Sequence, residues 1–153
     1  MSNYVKDADL LMLGLGRTVN RAAANLPQTA TGNLFAVTGG RVVVTSIVGQ
    51  VTTSVQAQAT VVKLRAVPTV GAVNDMSGTV DLASAAVGSL VAATGLAGDA
   101  LVLSTGGAIS LLRNAILVAV GNIALNTAAS STGQIKWALT YYAYDIGAAV
   151  AAV

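Results

Sequence analysis

The chain has 153 residues, a length that suits one domain burying roughly 70% of its unfolded surface and leaves little room for a two-domain enzyme. Hydrophobic residues make up 54%, charged residues 9% and the net charge is +2, against a charged share of about 25% in ordinary globular proteins, so part of the apolar excess is expected to face a partner. The sequence holds no Cys, His or Glu, which removes disulfides, thiolate metal sites, the commonest general base and half of the usual carboxylates, and predicts neither cofactor nor metal.

Residues 1–30 read as an N-terminal arm, part helix and part extended, packing on a neighbour rather than joining the core. The stretch "DADLLMLGLGRTVNRAAANLP" has aspartates at its start and Arg17 and Arg21 towards its end, as a helix dipole favours, but Gly14 and Gly16 weaken it and Pro27 ends it. "GLGR" begins like a dinucleotide fingerprint, yet lacks the third glycine and an acid near position 37. Two aspartates also stand where a signal peptide carries positive charge, so synthesis in a cytoplasm without a cleaved signal is expected. The apolar run "LLMLGL" needs cover. By their place in the arm, Lys6, Leu10, Leu11, Leu13, Arg17 and Arg21 are the residues expected to contact a second subunit or another partner.

From residue 31 onwards the pattern is that of strands. Gly39-Gly40 precedes "RVVVTSIV", whose β-branched residues oppose the helix that a phosphate loop requires, so the pair predicts a hairpin turn with positive φ. In "GQVTTSVQAQAT" Val51, Thr53, Val55, Ala57 and Ala59 alternate with polar residues, which predicts a half-buried strand over residues 49–60. The apolar parity flips at Val62, Leu64 and Ala66, and a bulge or turn near Thr60 and Val61 is expected. Residues 82–98 are uncharged but only 17 long and broken by Gly88, Gly95 and Gly98, which argues against a helical membrane span.

Short runs follow, "GTVDLA", "ALVLS", "AISLLRN", "ILVAV" and "NIALNT", separated by Gly, Asn and Ser steps including the Gly106-Gly107 turn. "QIKWALTYY" gives the clearest strand, with Ile135, Trp137, Leu139 and Tyr141 on one face. Many short strands without a crossover helix define an all-β sandwich or barrel.

Chemistry is sparse. Asp75, Asp81 and Asp99 lack the spacing of a calcium loop and read as turn residues. No Ser-x-x-Lys pair replaces the missing His, so enzyme function is not expected. Residues 31–73 hold Arg41, Lys63 and Arg65 without an acid, and residues 74–100 hold three aspartates without a base, an asymmetry suited to pairing between subunits or with a larger assembly. The low charge and scattered basic residues predict no nucleic-acid surface.

Together, "NLFAVTGGRVVVTSIVGQVTT", "VVKLRAVPTVG", "LLRNAILVAVGNIALNTAASSTGQIKWALTYYAYDIGAAV" and the Ala/Val/Thr/Gly texture resemble the small virion structural proteins of tailed bacteriophages, above all capsid decoration (cement) proteins. The resemblance implies an antiparallel, jelly-roll-like β-sandwich over residues 31–153, a homo-oligomer, commonly a trimer, and attachment to the major capsid protein on the capsid exterior, with the arm as a tether. The alternative is a tail or head-fibre adhesin binding host glycan. A membrane β-barrel would need aromatic girdles for which four Tyr and one Trp are too few, so no membrane partner is expected.

Overall fold

The computed structural model describes residues 13–111 and 114–153. Within them run twelve strands: β1 (Arg17–Asn25), β2 (Thr31–Thr38), β3 (Val42–Thr53), β4 (Val61–Pro68), β5 (Asn74–Asp75), β6 (Val80–Asp81), β7 (Leu90–Ala92), β8 (Val102–Ser104), β9 (Ile116–Val118), β10 (Gly121–Thr127), β11 (Gln134–Ala143) and β12 (Ala149–Ala152). They form two antiparallel sheets, one in the order β1-β11-β3-β7-β8 with β9 also on β3, the other β12-β2-β10-β4-β5 with β6 also on β4. Strands β1 to β4 alternate between the sheets and meet the returning strands β11 and β10, the nested order of a jelly roll, to which β12 adds one edge strand.

Period-two burial explains why the layers hold. On β11, Ile135, Trp137, Leu139 and Tyr141 are buried while Lys136 is exposed. They meet Phe35, Val37, Leu64, Ile123 and Leu125 from the second sheet in one hydrophobic core. On β3 the buried set passes from Val42 and Val44 to Ile47 and Val51. That change of parity coincides with a register shift opposite Thr140 and Tyr141, so Thr45 is the extra residue of a bulge, and its hydroxyl donates to the Thr140 carbonyl at 3.3 Å. Gly49 lies opposite Trp137, and a Cβ there would come within 3.0 Å of the indole. The glycine makes room for the single Trp.

Four sequence expectations are corrected. The arm does not remain outside the sheet over residues 17–25, because β1 pairs along β11 from Arg17 with Tyr141 to Asn25 with Gln134. Among the described residues of the arm only 13–15 are helical, and Gly16, with φ +81 and packed on the backbone of Tyr141, ends that turn. β11 would otherwise be an open edge, and pairing with it overrides the helix preference of Ala22, Ala23 and Ala24.

The strand expected over residues 49–60 ends at Thr53. Residues 54–60 bend and cross from the first sheet to the second, so of the two causes expected for the parity flip at Val62 the chain turns, and changes sheet, and does not bulge within one strand.

Gly39-Gly40 does turn with positive φ at both residues, 73 and 149, but it joins β2 to β3 across the two sheets and is not a hairpin. A Cβ on Gly39 would strike the Gly147 carbonyl, and one on Gly40 would reach the Asp145 Cβ at 2.6 Å. Finally, the described part of "AISLLRN" holds no strand; residues 112 and 113 lie outside the described set.

Candidate interaction surface

Register places one end of the sandwich. The starts of β1 and β3, the ends of β2, β4 and β11, and the turns at residues 39–41, 69–73 and 144–148 lie together. At this end, among the described residues, stand large exposed apolar side chains: Leu13 (74% exposed), Val70 (90%) and Ile146 (fully exposed), together with Leu15, Val73 and Tyr144. The opposite end is different. There Gln28 Nε2 donates to the carbonyls of Leu26 and Ser131, both at 2.8 Å, and Gln28 Oε1 accepts from the Ser131 N–H at 3.0 Å. The buried Thr60 hydroxyl lies 3.0 Å from Ser131 Oγ. This network satisfies buried polar groups and ties residues 26–28 to the body of the sandwich.

Electrostatics at the apolar end centre on Arg41 and Asp145. The guanidinium makes two 2.9 Å bonds to the carboxylate, and its carbon lies 4.8 Å from the centre of the Tyr144 ring. These side-chain bonds, followed by one from the Arg41 backbone N–H, hold the Asp145 carboxyl down to about 2. Asp75 on β5 accepts from Lys63 at 2.7 Å and Arg65 at 2.9 Å on β4, which lowers its pKa. The charge asymmetry expected to pair subunits is thus largely spent within the chain. Asp81 accepts from the N–H groups of Thr60 and Ala83, and Asp99 from the Thr94 hydroxyl, so these two act as loop aspartates. Among the described residues no three acidic side chains cluster as a metal site would require. No helix among them is long and apolar enough to cross a membrane.

Of the residues expected to make contact, Lys6, Leu10 and Leu11 lie outside the described residues. Leu13 is exposed at the apolar end, where Tyr142 Oη donates to the adjacent Gly14 carbonyl at 2.9 Å. Arg17 is exposed at the start of β1. Arg21 is half-buried further along, its Nε donating to the Val153 carbonyl at 2.7 Å across the two sheet edges. Leu13 and Arg17 therefore belong to one end of the molecule and Arg21 to its flank. The sequence reading missed Val70, Tyr144 and Ile146. The available signal was a bulky apolar residue inside a Gly-bounded turn, as in "PTVG" and "YDIG", where no strand alternation could bury it.

No protein-family model, curated protein or solved structure matches the chain.

Proposed function

We propose that the protein is a virion structural protein of the capsid decoration type, a non-enzymatic module that binds the outer surface of a shell of major capsid protein as a homo-oligomer, with a trimer as the expected state, and bridges neighbouring capsomers. The observation that carries this reading is the end of the sandwich where Leu13, Val70 and Ile146 stand exposed beside Tyr144 and an internally neutralised ion pair. Such a surface gains free energy when a protein surface closes over it. Many weak contacts of this kind, repeated around an oligomer, hold a lattice because all must break together. The test is co-sedimentation with capsids lacking the protein. Saturable binding to bare shells, with none to shells already decorated, is expected; no binding to bare shells rejects the reading.

A second reading, an adhesin for host glycan, rests on Tyr144, an exposed aromatic with Arg41 and Asp145 as polar neighbours. Arg41 already occupies one face of that ring and Trp137 is buried, which leaves little platform for stacking a sugar. Binding to a glycan array that Tyr144→Ala abolishes would favour the adhesin.

A further inference from the structure

Across the outer face of the first sheet runs an open groove of about 700 Å³, formed by four adjacent strands. Its floor is set by register: Lys136 lies opposite Gln50 and Ala138 opposite Val48, Gln50 lies opposite Leu90, and Ala22 closes the β1 side. The floor is mainly small and aliphatic, with one exposed cation, Lys136, and Arg21 at the rim. Among the described residues neither cation forms a salt bridge with an aspartate, and no aspartate lines the groove.

We propose that this groove is the seat for residues 7–12 of a second copy of the chain. The proposal rests on the homo-oligomer reading above and gives it a contact. Charge complementarity selects the occupant. Of the six acidic residues, Asp75, Asp81, Asp99 and Asp145 are engaged elsewhere in the sandwich, which leaves Asp7 and Asp9. They are followed directly by Leu10, Leu11 and Met12, so two carboxylates adjoin three apolar side chains, matching a cation beside an aliphatic floor.

Length agrees as well. Six extended residues span roughly 20 Å, while the three gaps between four strands span roughly 14 Å. The segment departs from Leu13, whose neighbour Gly14 is tied to Tyr142 at the apolar end. That end also carries the exposed Val70 and Ile146, and contact between copies there would deliver the arm towards a second copy.

The absence of Cys makes the test clean. Full-length single variants Leu10→Cys and Ala138→Cys are mixed and mildly oxidised, each variant alone serving as the control for like-with-like links. The expected product is a disulfide-linked pair joining position 10 of one chain to position 138 of another. Its yield should fall several-fold with Lys136→Glu and return when Asp7 and Asp9 are both changed to Lys. If the double variant forms only an intrachain link while the mixed singles form none, the segment seats on its own chain and the proposal is overturned. No link in either case overturns it too. Light scattering on the unmodified protein separates the two failures, because an oligomer without the link rejects only this seat, whereas a monomer rejects the assembly reading as well.

Discussion

Arg41 and Asp145, 104 residues apart, form a three-bond clasp that locks the turn after β11 onto the crossing from β2 to β3: two guanidinium bonds at 2.9 Å and one from the Arg41 backbone N–H at 2.8 Å. The folded protein therefore keeps Asp145 ionised down to about 2, below its ordinary 3.8. A carboxyl whose pKa is depressed by folding contributes stability above its unfolded pKa and loses it as the pH falls through the folded value. The thermal midpoint should accordingly drop between about pH 4 and pH 2, the depressed Asp75 adding to the slope. Asp145→Asn should flatten that slope without changing the fold. Equal slopes for the two proteins in scanning calorimetry would remove the clasp as an acid-sensitive element.

Trp137 and its neighbour Lys136 test the register of β11. Trp137 is buried against Gly49 and Lys136 is exposed. Trp137→Ala should cost about 3–5 kcal/mol, and Lys136→Ala less than about 0.5 kcal/mol. Gly49→Ala should cost about 1–3 kcal/mol, because the new methyl needs the space of the indole and of Ile135. Urea unfolding measures all three, and similar losses for Trp137→Ala and Lys136→Ala would contradict the alternation.

The N-terminal region divides at about residue 13. Removing residues 1–12 should leave β-type circular dichroism and a cooperative melt, while weakening attachment to bare shells. Removing residues 1–30 takes away β1 and the Gln28 network, exposes the edge of β11 and strips Leu26 and Val19 from the core. The longer deletion should aggregate or melt at a clearly lower temperature. A longer deletion as stable as the shorter would make β1 an ornament of the sheet.

Exposed Val70 and Ile146 predict that stability depends on protein concentration, because folding and association are linked when a partner covers apolar surface. The thermal midpoint should rise with concentration. Ile146→Asp should abolish the rise while leaving circular dichroism unchanged, since the side chain is fully exposed within one chain. A midpoint independent of concentration in the native protein would mean that this end does not join copies.

What the sequence determined by itself is what depends on local alternation. Period two over residues 134–141 identified β11, its buried face and the lysine on the other side, because each successive side chain in a strand must point to the opposite face of the sheet. The all-β class followed from short β-branched runs punctuated by glycine. Local pattern does not encode which sheet a strand enters. The parity flip near Val62 carried no mark of whether the chain bulges or crosses between layers, and only the pairing of β4 with β10 decided it. Arg17 and Arg21 sit in a segment whose alanines favour helix, and the backbone groups of β11, more than 100 residues away, drew it into a strand. The apolar end, too, belongs to the tertiary structure, because Leu13, Val70 and Ile146 come to the same end of the sandwich only when the two sheets bring three separate segments to one side.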